Sequence, residues 1–183
     1  MGTLLGTCAW ANVETTVVVC VEQSTHAAEV SDAATVARRL FKSVGVNLEW
    51  HAGERFCENQ GERVIRVSLS TNTPRSLRPD ALAYALPYEG VHIQVFFDRI
   101  LGADPKLLPS LLAHVIVHEI THILQGIDRH SASGIMKARW DTADYMRMKR
   151  GQLQFTGADL EIIHAGLANW EAKETGLVAA VAQ

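Results

Sequence analysis

The chain has 183 residues, a formal net charge of −3, 48% hydrophobic and 20% charged residues. This is the make-up of one folded domain with a sizeable core, and it excludes collagen-like and disordered classes. No basic run marks a nucleic-acid surface, and no apolar stretch nears the roughly 18 residues of a membrane span.

Residues 1–14 read either as the remnant of a signal peptide or as a leading loop. Thr3 to Ala11 are mostly small or apolar and Ala9-Trp10-Ala11 has the form of a cleavage site, but the charged start of a signal peptide is missing. The balance points to a secreted or periplasmic protein, with the cytoplasm as the other reading. Of the three cysteines, Cys20 and Cys57 form a bridge if the chain is exported and are buried thiols otherwise; no Cys-x-x-Cys pair offers a thiolate metal site.

Thr15 to Val21 is a continuous β-branched run, which suits a strand buried on both faces. A helix follows from Asp32, capped by Ser31, with Ala33, Val36, Ala37, Leu40, Phe41 and Val44 on one stripe and Gly45 as its stop. Val46 to Trp50 and Arg63 to Leu69 are two further strands. Ser70 to Pro79 is loop. Ala81 to Leu86 is a short extended segment, closed by Pro87 and a Glu89-Gly90 turn, and Val91 to Phe97 a strand that pairs with it as a hairpin. Ser110 to Gln125 is a densely apolar helix with Pro109 in its first turn and Gly126 after its end. Ile127 to Trp140 has no period. A last helix runs from Thr156 or Gly157 to about Lys173, with Leu160, Ile163, Leu167 and Trp170 on one face.

Eight histidines are present, three of them between positions 118 and 130. His118 and His122 stand four apart on the dense helix, so both imidazoles leave one face and reach one Zn²⁺. Glu119 lies beside them, placed to take a proton from water activated by the metal. This is the HExxH arrangement. A catalytic zinc site needs a third protein ligand and an open position. Beyond Gly126 the residues at hand are Asp128 and His130; imidazole suits zinc, so His130 is the expected ligand and Asp128 the alternative.

His118 to Met136 resembles the metzincin metallopeptidases, whose pattern is HExxHxxGxxH followed by a methionine-containing turn below the metal. His130-Ser131-Ala132-Ser133-Gly134-Ile135-Met136 is similar to the matrixin branch but one residue shorter. Each side of Gly126 is one residue longer than in the family, giving HExxHxxxGxxxH. Upstream, Leu82-Ala83-Tyr84-Ala85-Leu86-Pro87 looks like the matrixin edge strand that pairs with extended substrate, and Val95-Phe96-Phe97-Asp98 resembles the strand that follows it.

The resemblance implies an α/β (α+β zincin-like) fold: a mixed twisted sheet of four to five strands with an antiparallel edge strand, a zinc-carrying active-site helix and a C-terminal helix, in a single catalytic domain over 1–183. It implies a zinc-dependent metalloendopeptidase acting on peptide or protein substrates, with Glu119 as general base, His118, His122 and His130 as ligands, Met136 in the turn, and Ala83, Tyr84 and Trp140 as substrate contacts. A non-catalytic zinc-binding interaction module of the same fold is the alternative. No cysteine-switch segment or Asp-rich calcium loop accompanies these motifs. His114, one turn before His118, is either a support for a ligand or a core histidine, and His92 and His164 read as structural. Tyr145 is a candidate oxyanion donor, and Asp159 or Glu161 a candidate carboxylate ligand that the His130 and Met136 landmarks disfavour.

Overall fold

The computed structural model describes residues 15–22, 25–53, 56–57, 64–85 and 91–181, the last twelve by backbone alone. The leading residues 1–14, the turn expected at Glu89-Gly90 and the side chain of Trp170 lie outside that range. Five strands form one mixed sheet: β1 (Thr15–Val21), β2 (Val46–Ala52), β3 (Ile65–Ser70), β4 (Ala83–Ala85) and β5 (His92–Phe96), in the spatial order β2-β1-β3-β5-β4. The β-branched run of β1 takes a central place, parallel to β2 on one side and to β3 on the other. β5 continues the parallel arrangement beside β3, and β4 closes the sheet as an antiparallel edge.

Helix α1 (Ala27–Lys42) begins before the expected Ser31 cap, with His26 as N-cap. Ala27, Ala28 and Glu29 are good helix formers, and Val30 extends the buried stripe of Ala33, Ala34, Ala37, Leu40 and Phe41 by a turn. The strand expected to reach Phe97 stops at Phe96; the chain turns into the one-turn helix α2 (Phe97–Ile100), which buries Phe97 and Ile100. Helix α3 (Leu108–Gln125) is buried along nearly its whole length, packed between α1, the sheet edge and the C-terminal helix.

A further helix, α4 (Thr142–Arg150), falls where no element was expected. Only Asp144 and Met148 of it are buried, so it carries no apolar stripe. A capping box starts it: the Asp141 side chain accepts from the Ala143 and Asp144 amides, and the Asp144 carboxylate accepts from the Asp141 amide. The last helix, α5 (Gly157–Val181), runs past the expected end near Lys173 and buries Ile163 and Leu167. At Gly166 its backbone comes so close to the Leu124 carbonyl that any side chain would collide with it.

The buried residues of β1 through α5 form one continuous cluster. Cys20 and Cys57 are bridged, with Cα atoms 5.6 Å apart, and pack with Val64 in a small cluster of their own. No helix among the described residues is long and apolar enough to cross a membrane.

Candidate metal centre

His118 and His122 both lie on the buried face of α3, and each spends its Nδ1 proton on a backbone carbonyl. His118 Nδ1 donates to Ile135 O at 2.8 Å and His122 Nδ1 to Ile127 O at 3.2 Å. Burial holds both rings below the ordinary imidazole range, His118 down to about 4, so both are neutral at pH 7. Each Nε2 therefore carries a lone pair and no proton, yet the two atoms stand 3.1 Å apart. Two facing lone pairs at that distance repel unless a cation lies between them. Tetrahedral Zn²⁺ with bonds of roughly 2.0–2.1 Å sets neighbouring nitrogens about 3.3 Å apart, so the donor set fits that ion.

His130 completes the group. One ligand atom from each of His118, His122 and His130 lies within 4.8 Å of the others. The His130 ring is stacked on His118 at 5.3 Å and edge-on to His122 at 4.9 Å. It is exposed where the helix histidines are buried, which leaves one side of the cluster open to solvent. Asp128 lines the same cleft but is outside the cluster.

The longer spacing around Gly126 is accommodated by a well-anchored loop. Gly126 adopts φ +67°, a left-handed helix end, and its amide caps the His122 and Ile123 carbonyls. The chain turns at once, so that the Ile127 carbonyl meets the His122 ring. On either side of His130, Arg129 Nη1 (3.0 Å) and Ser131 Oγ (2.5 Å) donate to the buried Asp159 carboxylate. Burial alone would raise the Asp159 pKa, but these bonds and two from Thr156 hold it below the ordinary carboxylate range. Asp159 thus positions the loop and is no ligand; Glu161 is exposed on the same helix. Ser131 N donates to Met136 O at 2.7 Å, closing a turn in which Ile135 and Met136 are fully buried. Gly134 sits in this turn at φ +78°, packed directly on the Gln154 carbonyl.

Glu119 is buried beside His118. Burial pushes its carboxyl up to about 7; the Ala85 amide, which hydrogen-bonds it, and the Arg78 charge pull the other way, while Asp128 adds to the rise. The Ala85 bond follows from strand register. Phe96 N donates to Leu82 O at 2.8 Å, so the 82/96 and 84/94 pairs carry the ladder bonds. The main-chain groups of Ala83 and Ala85 consequently face the open edge of the sheet.

Between that edge and the segment from Lys137 to Tyr145 runs a cleft of about 460 Å³, with His118, Glu119 and His122 along it. Ala83, Tyr84 and Trp140 all line it. Trp140 stands edge-on to His118 at 5.7 Å and donates from Nε1 to Gly134 O at 3.3 Å. Tyr145 lines the cleft half-buried. His114 is a core histidine: Nδ1 donates to Ser110 O at 2.7 Å and Nε2 accepts from Leu153 N at 3.1 Å, leaving no nitrogen for the metal. His164 donates to Val44 O at 3.1 Å, tying α5 to the end of α1, and His92 is exposed on β5. Cleft residues that the sequence pattern did not single out are Arg78, Asp80, Lys137 and Arg139. Pattern reading had no access to them, because their placement depends on loop contacts between distant segments.

The sequence matches no protein-family model and no curated protein. In structure the chain is similar to archaemetzincin from Methanopyrus kandleri, with a TM-score of 0.57 over 87% of this chain and 99% of that one, at 14% sequence identity. The fold is therefore zincin-like: a mixed five-stranded sheet with an antiparallel edge pair, and a histidine cluster, two from helix α3 and one from the loop after it, that suits zinc.

Proposed function

We propose that the chain is a single-domain zinc metalloendopeptidase, with His118, His122 and His130 as the ligands and Glu119 as the general base. The observation that carries this reading is the pair of Nε2 atoms facing each other at 3.1 Å, each ring's Nδ1 held on a backbone carbonyl, with a buried glutamate beside them. A purely structural zinc site has no use for that glutamate. The fold shared with archaemetzincin supports the same direction.

Zinc held by the three imidazoles supplies a Lewis acid that acidifies water and polarises a carbonyl. The chain's own residues do the rest. Extended peptide adds to the free edge of β4 through the outward main-chain groups of Ala83 and Ala85. Tyr84 and Trp140 flank the bound segment. The Glu119 carboxylate takes up the proton of the attacking water and releases it to the leaving amine, a role suited to a buried carboxylate beside the ligands. Met136 supports the turn whose Ile135 carbonyl orients His118. The Cys20–Cys57 bridge favours a secreted or periplasmic setting.

The test is zinc content and peptide cleavage of Glu119→Gln beside the parent. Retained zinc, near one per chain, with cleavage reduced by about a hundredfold or more supports the mechanism. Equal cleavage by the variant rejects it. Stoichiometric zinc without chelator-sensitive cleavage of any peptide in a broad library points to the interaction module instead.

A further inference from the structure

The loop before β4 is fixed by two neighbouring side chains of α2. From α2, the half-buried Arg99 sends Nη1 to Arg78 O (2.8 Å) and Ala81 O (2.5 Å), and Nη2 to Leu77 O (2.6 Å) and Pro74 O (3.4 Å). Its neighbour Asp98 accepts from the Thr73 amide and hydroxyl at 3.2 and 2.7 Å, anchoring the start of the same loop. Clamped this way, Arg78 and Asp80 hold left-handed backbone conformations, φ +42° and +67°, that residues with side chains seldom adopt. Strain of this kind persists only where surrounding contacts impose it, and here it turns both side chains to the cleft.

The exposed Arg78 side chain rests on the aromatic ring of the edge strand. Its guanidinium lies over the Tyr84 ring, 4.4 Å from the centroid, Tyr84 is tilted against Phe96 at 5.8 Å, and Arg99 covers Phe96 at 4.3 Å. The other cations of the cleft each face a carboxylate. Lys137 lies 2.6 Å from both Asp141 and Asp144, and Arg139 pairs with Asp80 at 3.8 Å. Arg78 has no carboxylate within ion-pair distance among the described residues, its charge acting on the buried Glu119 carboxyl only from further off, and it stands beside the edge strand along which a peptide would lie.

We propose that Arg78 is a specificity-determining residue that reads a carboxylate on the bound peptide, making acidic peptides the preferred substrates. This rests on the peptidase reading of the cleft. A side chain of the added strand that falls on the Tyr84 side of the sheet meets the guanidinium, whose fork of donors matches a carboxylate. Arg99 acts through Arg78 as a positioning residue.

The experiment walks a single Glu, against Gln, through each position of an otherwise neutral fluorescent peptide. Cleavage is followed with zinc-loaded parent and binding, by anisotropy, with zinc-loaded Glu119→Gln. One position should favour Glu over Gln by about two- to fivefold at low salt, less as salt rises. In Arg78→Ala that ratio should fall to one, and in Arg78→Glu it should fall below one, with Gln preferred over Glu. Arg78→Lys should restore part of it. Arg99→Lys, checked for an unchanged melting temperature, should weaken the preference without reversing it. A flat walk in both readouts, or an unchanged preference in Arg78→Glu, overturns the proposal. Selective binding without cleavage leaves Arg78 standing and rejects the peptidase reading, so the two failures are distinct.

Discussion

Ser131 Oγ donates to Asp159 Oδ1 at 2.5 Å, and this bond ties the loop that carries His130 to the C-terminal helix. Ser131 adjoins His130, and Arg129 on its other side reaches the same carboxylate. The exposed third histidine is therefore fixed by a buried acid on α5. Asp159→Asn should lower zinc affinity by about ten- to a hundredfold while leaving the two helix histidines in place. A competitive chelator titration measures this, and unchanged affinity would rule the anchor out.

Asp159 also sets an acid limit on stability. Its folded pKa lies below the unfolded value of 3.8, so its stabilising contribution is complete above that value and is lost as pH falls through the folded pKa. Acid unfolding of the parent should therefore steepen below about pH 4. Asp159→Asn should be less stable at pH 7 and should lack that part of the acid sensitivity, as equilibrium denaturation at a series of pH values would record.

The choice between His130 and Asp128 can be made by metal content. His130→Ala should lose most of its zinc at micromolar protein, and Asp128→Ala should keep it, because Asp128 lies outside the ligand cluster. Full retention in His130→Ala would transfer the third position elsewhere.

Gly134→Ala should destabilise the protein by about 1–3 kcal/mol. The new methyl group has to accept φ +78° and to displace the Gln154 carbonyl against which it is built. The melting temperature should fall by roughly 2–4 °C per kcal/mol for a chain of this size. Because Ile135 follows directly, zinc affinity should fall as well.

Replacing Cys20 and Cys57 by serine should cost about 2–4 kcal/mol, since the bridge closes a long loop and both sulfurs are buried. Denaturant midpoints with and without reductant would give the same difference for the parent and none for the double variant.

Much of this architecture can be read from the sequence where burial imposes a pattern. The β-branched run at Thr15 to Val21 announces a central strand, and the dense apolar helix around His118 announces a buried one. The spacing of Cys20 and Cys57 in the chain does not decide between bridge and thiols. Helix α4 shows no apolar period because it is held by end-capping and ion pairs, with Lys137 between Asp141 and Asp144. Its Asp141 and Asp144 were a readable capping signal. Helix α1 started early because alanines extend a helix without needing a polar cap. The Arg99 clamp was out of reach in another way: a side chain bonded to carbonyls some twenty positions away leaves no periodic trace.

Strand β4 is only three residues long, and Glu119 already occupies the Ala85 amide. Among the described residues, the β4 main-chain groups left for a visiting strand are the Ala83 amide and carbonyl and the Ala85 carbonyl. Such a backbone grip is sequence-blind and weak. A protein built this way must choose its partners by what projects from their backbone.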